Sequence, residues 1–364
     1  MIALCRPARP SPKAMTPRPS NRLSVAPMMD RSDRHFRFLT RVLAPNALLY
    51  TEMITARALL RGDARRLLRF DRAEHPVALQ LGGADPEELA SAARLGADAG
   101  YDEINLNVGC PSDRVQAACF GAALMLDPAR VAACVAAMRD AVAVPVTVKT
   151  RLGVDEHDSY EFLTAFVQRV AATGCDTFIV HARKAWLSGL SPKENREIPP
   201  LDYLRVHRLK REFPMLRIVI NGGLVDRATA LAQLEHVDGV MLGRAAYQQP
   251  WLVADLDREL HGARELHGTR ELHGRRGTPA LPVVLERYVA YIERELAAGT
   301  PLKSMTRHLL GLRTGLPGGR RWRRELSELP DGEHGLARLR AIAAGLGGSH
   351  ATDAPLGDAL CAFG

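Results

Sequence analysis

The thiol of Cys110 has the most distinctive chemical setting in the sequence, within the run Glu103-Ile-Asn-Leu-Asn-Val-Gly-Cys-Pro111. The apolar residues of this run predict a buried strand that ends in a Gly-Cys-Pro turn, and α/β proteins place their chemistry at the carboxyl ends of strands. Asn105 and Asn107 lie two residues apart, so their amides project from one face of that strand. A thiol that is merely packed in the core is the alternative, because free cysteine is among the most buried residue types.

Polar or glycine-rich residues also lie in or after other predicted strands. A lysine inside the apolar run Val146–Gly153 is costly unless an anion or an acceptor pairs with it. Glycine-rich ends after the last two strands of a barrel are where backbone N–H groups bind phosphate. Each residue alone is better explained by a structural role, but their coincidence at one rim indicates a phosphorylated ligand with a polar ring system. The residues are Pro27, Met28, Met29, Gln80, Lys149, His181, Asn221, Gly222, Gly223, Gly243 and Arg244.

Short β-rich runs alternate with helical periodicity from residue 22 onward, and helices are predicted over Pro86–Gly100 and Asp127–Val142. Eight such repeats match a (β/α)8 barrel in number and length. A doubly wound open sheet is the alternative, but no Gly-x-Gly-x-x-Gly follows the first strand. We therefore predict an α/β fold, a (β/α)8 TIM barrel followed by a small all-helical C-terminal domain. The predicted strands are Leu23–Met29, Leu48–Met53, Pro76–Gly82, Glu103–Gly109, Pro145–Arg151, Thr177–Arg183, Arg217–Gly223 and Gly239–Arg244.

The sequence divides into five predicted segments. Residues 1–21 form a disordered basic tail, 22–257 the barrel, 258–278 a low-complexity linker, 279–350 a helical domain and 351–364 a C-terminal tail. The linker prediction depends on residues 258–275, which repeat Arg-Glu-Leu-His-Gly-x three times. Helical periodicity is expected over Leu281–Ala298, Met305–Leu312 and Glu333–Leu346.

The composition predicts a cytoplasmic protein. Hydrophobic residues make up 46% of the 364 positions, and no apolar run approaches the roughly 20 residues of a membrane span. The six cysteines contain no Cys-x-x-Cys pair, which argues against a zinc site or a disulfide framework and for a reducing compartment. The N-terminus has no apolar core after its basic residues, so it does not resemble a secretory signal. No metal, membrane or obligate protein partner is indicated.

Positive charge is concentrated near the C-terminus. The net charge is +8, and residues 301–324 contain seven Lys or Arg residues and no acid. A cluster of this kind favours a polyanionic partner, because Lys and Arg neutralise phosphates. Trp322 lies inside the cluster and strengthens the prediction of nucleic acid over a merely solvated basic face.

The strand-end motifs and the basic cluster, taken in their order along the chain, resemble those of the tRNA-dihydrouridine synthases. These are FMN-dependent barrel enzymes that reduce a uridine of tRNA. The resemblance runs from Arg22 to Leu326. The segment Ser191-Pro-Lys-Glu-Asn-Arg-Glu-Ile-Pro-Pro200 and the run Pro317-Gly-Gly-Arg-Arg-Trp-Arg-Arg324 are similar to signatures of the A subfamily, which acts at positions 20 and 20a. The resemblance implies FMN in the barrel, NADPH or NADH as reductant, and tRNA on the helical domain.

The resemblance also implies a role for each site residue. Cys110 would donate the proton, and Asn107 would orient the target base. Lys193, Arg196, Arg320 and Arg323 would bind the tRNA. Pro27 to Met29 would line the flavin, Gln80 and Lys149 would address its ring edge, His181 would lie against it, and Asn221 to Gly223 with Gly243 and Arg244 would hold its phosphate.

A thiol acid suits the implied reaction. Hydride from N5 of reduced FMN would add to C6 of uracil, and a proton must then reach C5 from the opposite face. Free cysteine has a pKa of about 8.5, so an ordinary thiol is protonated at neutral pH and can donate. Two rival functions are an FMN barrel acting on a small molecule, which leaves the basic cluster unexplained, and an RNA-binding protein on an inactive barrel.

Overall fold

A closed barrel of eight parallel strands in chain order forms the first part of the protein. The computed structural model describes residues 20–117, 119–262 and 279–347. The predicted (β/α)8 barrel followed by a helical region is confirmed. The strands are β1 (Leu23–Val25), β2 (Leu48–Thr55), β3 (Val77–Gly82), β4 (Glu103–Val108), β5 (Val146–Arg151), β6 (Thr177–His181), β7 (Arg217–Asn221) and β8 (Gly239–Leu242).

Helices cover the outside of the barrel and build the C-terminal region. Side-chain caps begin many of them, as where Asp85 accepts from the N–H groups of Glu87 and Glu88 at the start of the predicted helix Pro86–Gly100. The α-helices are α1 (Arg34–Leu43), α2 (Ala56–Arg61), α3 (Ala64–Leu67), α4 (Pro86–Ala99), α5 (Asp113–Ala117), α6 (Pro128–Ala141), α7 (Tyr160–Ala171), α8 (Tyr203–Glu212), α9 (Arg227–Leu234), α10 (Arg244–Gln248), α11 (Pro250–His261), α12 (Leu281–Ala297), α13 (Leu302–Thr306), α14 (Gly319–Ser327) and α15 (Gly332–Gly347). Short 3₁₀ helices lie at Arg72–Glu74, Gly121–Leu126, Glu194–Arg196 and Arg307–Arg313.

Several strands end earlier than predicted, because the residues after them leave the sheet. The last ladder contact after β1 is the N–H of Ala26, which donates to Leu242 at 2.8 Å, and Pro27 has no N–H to continue it. After β7, Gly222 and Gly223 turn away with φ values of 107° and 68°. The site residues beyond these points therefore lie in loops at the mouth of the barrel rather than in strands.

The helical region shares one apolar core with the barrel helix α1. Phe38 of α1 stacks on Tyr291 of α12 with ring centroids 4.0 Å apart. Arg34 of α1 forms an ion pair with Glu295 of α12 at 2.7 Å. The helical region is thus anchored to the side of the barrel where β1 ends.

The helical region and its linker differ from the sequence predictions in three ways. The segment predicted as one helix over Met305–Leu312 is divided between α13 and a 3₁₀ helix, and α14 was not predicted as a helix. Helix α11 runs to His261, so the first residues of the predicted linker are helical. Residues 1–19, 263–278 and 348–364, which hold most of the predicted tails and linker, lie outside the described residues.

None of the helices in the described ranges is long and apolar enough to cross a membrane. Within those same ranges, no group of three or more His, Cys, Asp or Glu side chains could hold a metal ion.

Candidate active site at the mouth of the barrel

The parallel register brings the predicted site residues of neighbouring strands to one end of the barrel. Asn107 of β4 is paired with Lys149 of β5. Arg151 of β5 is paired with His181 of β6, which is paired in turn with Asn221 of β7. The carboxyl ends of these strands therefore place two amides, two cations and an imidazole side by side.

Lys149 is an ammonium group placed among cations and amides. Its Nζ donates to Oδ1 of Asn221 at 3.0 Å, and no carboxylate of the described residues forms an ion pair with it. Asn221 is held in this orientation because its Nδ2 donates to the carbonyl of Met241 at 2.8 Å. Burial, and then the nearby charge of Arg151, lower the pKa of Lys149 to about 7. An anion at this point would stabilise the charged form.

His181 packs against a glycine that leaves room for its ring. A Cβ atom on Gly222 would lie 2.5 Å from Cδ2 of His181, and the φ of 107° at Gly222 is itself a conformation that glycine adopts readily. Burial, followed by the charges of Arg151 and Lys149, holds the pKa of His181 well below its ordinary value. The imidazole is therefore neutral at neutral pH.

The loops after β7 and β8 form the next part of the mouth. A Cβ atom on Gly243 would meet no atom within 4 Å, so the space above this glycine is open. Arg244 is partly exposed and forms an ion pair with Glu197. Arg183, at the end of the predicted sixth strand, keeps its Nε buried without a partner in the described structure.

The loop after β4 presents the Cys110 thiol at this mouth. Cys110 is partly buried, and its Sγ lies 3.4 Å from Oγ of Ser112. Oδ1 of Asn107 accepts from the N–H groups of Gly109 and Cys110 at 3.1 and 3.0 Å. Asn107 thus caps the turn that carries the thiol.

Arg151 is a residue of the mouth to which the sequence reasoning gave no role. It is 3% exposed, and its guanidinium donates to the carbonyls of Gly109 (3.1 Å), Lys184 (3.0 Å) and Asn195 (2.9 Å). It therefore joins the Cys110 loop to the segment Ser191–Pro200, which contains Asn195. The two-residue spacing from Lys149 places both side chains on one face of β5, and this spacing was the available signal.

The segment that resembles a subfamily signature forms a compact loop around a buried amide. Nδ2 of Asn195 donates to the carbonyl of Trp186 at 2.9 Å, and its Oδ1 accepts from the N–H of Trp186 at 2.7 Å. Lys193 and Arg196 flank Asn195 and are exposed. They lie near the mouth, because Nη2 of Arg244 donates to the carbonyl of Arg196 at 3.4 Å.

The loop after β1 and the side chain of Gln80 complete the set of predicted ligand-binding residues. Pro27 and Met28 are partly exposed, and Met29 is 55% exposed. Gln80 is buried, and its Oε1 accepts from Nδ2 of Asn107 at 2.8 Å. Gln80 therefore lies beside the cap of the Cys110 turn.

The basic cluster is partly exposed, but its tryptophan is not. Arg320 and Arg323 lie on the exposed side of α14. Trp322 is 3% exposed, and its Nε1 donates to the carbonyl of Leu309 at 2.9 Å. The use of Trp322 as support for nucleic-acid binding was therefore wrong, because the indole is a core side chain that anchors the helix.

The mouth fits a flavin mononucleotide. FMN carries a phosphate and a ring with polar edge atoms. Within the described part of the chain, Lys149 offers an ammonium that no carboxylate pairs with, Gly243 leaves open space beside its backbone, and Arg183 has a buried donor without a partner. An anionic group and a ring edge would satisfy these donors.

A parallel barrel with cations, amides and glycines at its carboxyl mouth is typical of a (β/α)8 enzyme, and these groups favour a negatively charged ligand. The chain belongs to the dihydrouridine synthase family, because the family model described as "Dihydrouridine synthase (Dus)" matches residues 24–345.

Relatives named tRNA-dihydrouridine(20/20a) synthase match most of the chain. The protein of Shewanella oneidensis is 55% identical over 305 residues, which cover 84% of this chain and 88% of that protein. The protein of Escherichia coli strain K12 is 57% identical over 311 residues, or 85% of this chain and 86% of that protein. The protein of Vibrio cholerae is 54% identical over 310 residues, or 85% of this chain and 91% of that protein.

Proposed function

We propose that this enzyme reduces uridine to 5,6-dihydrouridine at positions 20 and 20a in the D-loop of tRNA, with FMN as cofactor and NADPH as reductant, in the cytoplasm. The observation that carries the proposal is the placement of the Cys110 thiol at the same mouth as Lys149, which has no anionic partner among the described residues. The names of the matched relatives support the choice of substrate.

FMN bound at the mouth would supply the hydride that reduces C6 of the uracil ring. Lys149 and Gln80 bind the ring edge, and the Lys149 ammonium stabilises negative charge there. Pro27 to Met29 line the ring, and His181 lies against it as a neutral imidazole. The loops Asn221–Gly223 and Gly243–Arg244 bind the phosphate.

Cys110 transfers its thiol proton to C5 of the uracil. The acid is needed because addition at C6 leaves electron density across C5 and the C4 carbonyl. Asn107 holds the turn that carries the thiol and orients the base. The resulting thiolate recovers its proton from solvent, to which the half-buried side chain has access.

The tRNA contacts come from two surfaces. The target uridine must leave its stack to reach the mouth of a barrel. Lys193 and Arg196 bind the tRNA beside the mouth, and Arg320 and Arg323 bind it from α14. Arg320 and Arg323 are exposed and are available to phosphates.

Site-resolved mapping of dihydrouridine tests the proposal. Transfer RNA from a strain that lacks the gene should contain uridine at positions 20 and 20a, and the purified enzyme with NADPH should convert it to dihydrouridine. Unchanged dihydrouridine at both positions in the deletion strain would overturn the substrate assignment. The purified protein should also be yellow, and a colourless protein that gains no flavin absorbance with FMN would overturn the cofactor assignment.

A further inference from the structure

A chain of buried hydrogen bonds begins at the amino end of the barrel, far from the mouth. Glu103 is the first residue of β4 and is 1% exposed. Its Oε1 accepts from the hydroxyl of Tyr50 at 2.5 Å and from the hydroxyl of Thr147 at 2.7 Å. Oγ1 of Thr147 in turn accepts from Nδ2 of Asn105 at 2.8 Å.

The chain continues through two further amides to the Cys110 turn. Nε2 of Gln80 donates to Oδ1 of Asn105 at 2.8 Å, and Nδ2 of Asn107 donates to Oε1 of Gln80 at 2.8 Å. Oδ1 of Asn107 then accepts from the N–H groups of Gly109 and Cys110. The whole path runs along one face of β4, about 13 Å at 3.3 Å per residue.

The direction of every bond in the chain follows from the group at its start. A carboxylate accepts hydrogen bonds and donates none, so the hydroxyl of Thr147 must donate its single hydrogen to Glu103. Oγ1 of Thr147 can then act toward Asn105 as an acceptor alone. The NH₂ group of Asn105 therefore faces Thr147, and its Oδ1 faces Gln80. In the same way Nε2 of Gln80 faces Asn105 and its Oε1 faces Asn107. The NH₂ group of Asn107 is then directed at Gln80, and its Oδ1 is directed at the backbone N–H groups of the turn.

The fixed direction matters at the last step. If the Asn107 amide were reversed, its NH₂ group would face two backbone N–H donors, and both donors would lose their partner. Buried donors without partners are costly, so the turn would move. The position of the thiol therefore depends on the orientation of Asn107.

We propose that Glu103 is a positioning residue for the Cys110 turn, acting from the amino end of the barrel through Thr147, Asn105, Gln80 and Asn107. Glu103 contacts no reacting atom. The assignment of Cys110 as the group to be positioned rests on the proposed function, whereas the control of the turn by Glu103 does not.

Hydrogen exchange of the flavin-bound enzyme measures the last bonds of the chain directly. The variants Thr147→Val and Glu103→Gln interrupt the chain or allow its direction to reverse, since a glutamine amide donates as well as accepts. Thr147→Ser keeps the hydroxyl and is the matched control. We expect the amides of Gly109 and Cys110 to exchange at least tenfold faster in the first two variants and within about twofold of the wild type in Thr147→Ser.

Kinetics give the second readout. In Thr147→Val and Glu103→Gln, the rate of flavin reduction by NADPH should change much less than the rate of tRNA reduction, because Gln80 is the one residue of the hydrogen-bond chain that the proposed function also assigns to the flavin. The kcat for tRNA should fall about tenfold or more in both variants, with little change in KM. Thr147→Ser should keep the kcat of the wild type. A purely structural loss would instead lower flavin content and both half-reactions together.

The outcomes separate this proposal from the proposed function. Wild-type exchange at Gly109 and Cys110 in both interrupting variants would overturn the role of Glu103, whatever the activity. Equal acceleration in β6 would also overturn it, because the effect would then be global unfolding. If the amides of Gly109 and Cys110 exchange faster in the variants but the wild-type enzyme forms no dihydrouridine, the role of Glu103 is supported and the proposed function is overturned.

Discussion

Replacing Lys149 by methionine should stabilise the flavin-free protein while weakening its binding of FMN. The pKa of Lys149 falls from 10.5 to about 7 in the folded chain, first because of burial and then because of Arg151. This difference disfavours the folded ammonium by roughly 5 kcal/mol, at about 1.4 kcal/mol per pH unit. Since the side chain is partly open to the mouth, solvent screens the effect. After this discount and the loss of the bond to Asn221, we expect a gain of roughly 2 kcal/mol near pH 7.

The gain should depend on pH with a defined sign. Between pH 7 and 10.5 the unfolded chain retains the proton of Lys149 while the folded chain has lost it. The unfolded state therefore binds more protons, and wild-type stability rises with pH across this window. The advantage of Lys149→Met should accordingly shrink as pH rises, by up to about 1.4 kcal/mol per unit before screening.

Urea unfolding of the flavin-free proteins at pH 7.5 and 9.5 provides the assay. Lys303→Met, at an exposed lysine of α13, is the control, and its difference from the wild type should be the same at both pH values. FMN titration should show weaker binding by Lys149→Met and unchanged binding by Lys303→Met. If Lys149→Met differs from the wild type by the same free energy at both pH values, the reasoning about its depressed pKa is refuted.

Three further predictions concern catalysis, tRNA binding and stability. Cys110→Ala should keep its flavin and the reduction of that flavin by NADPH but lose tRNA reduction by at least 100-fold, and full activity would exclude the thiol as proton donor. Combined Arg320→Gln and Arg323→Gln should weaken tRNA binding and reduce the slope of log affinity against log salt by about 1 to 2, whereas an unchanged slope would indicate a solvated face. Burial raises the pKa of Asp33, but His308 and its other partners outweigh this and hold it well below its usual range. Asp33 caps α1 and forms an ion pair with Arg307. Asp33→Asn keeps the helix cap and should lower the unfolding free energy by roughly 1–3 kcal/mol at pH 7, with the difference narrowing below pH 4. A difference that stays constant below pH 4 would contradict the ion-pair explanation.

The sequence was sufficient to predict the barrel because eight apolar runs alternate with helical periodicity at regular spacing. It predicted the mouth for the same reason, since parallel strands share one carboxyl end. It failed where an outcome depends on packing against distant residues. Trp322 looked like part of a basic surface, but its indole bonds to Leu309 in the core of the helical region. Arg151 was overlooked although it lies two residues from Lys149, because its three acceptors are backbone carbonyls and the sequence does not identify them.

The buried hydrogen-bond chain shows what a motif can and cannot reveal. Asn105 and Asn107 were recognised as a pair on one face of a strand, and the opening residue Glu103 was part of the same run. The function of Glu103 as an acceptor became apparent only from the strand register. The register pairs Asn105 with Thr147 and with Gln80 on the adjacent strands, and Thr147 donates to Glu103. Neither Thr147 nor Gln80 is near Asn105 in the sequence.

The polar interior of the barrel has opposite charges at its two ends. Glu103 lies at the amino end among donors, and Lys149 lies at the mouth without an anionic partner in the described residues. Separation of the two along one strand pair keeps the carboxylate from neutralising the ammonium, so the mouth retains its preference for an anion. The Cys110 thiol, the starting point of the sequence reasoning, is then positioned by the acidic end and supplied with a ligand by the basic one. This arrangement explains why the two groups can be tested separately: Glu103→Gln should alter the turn with a smaller effect on flavin affinity through Gln80, and Lys149→Met should weaken flavin binding without altering the turn.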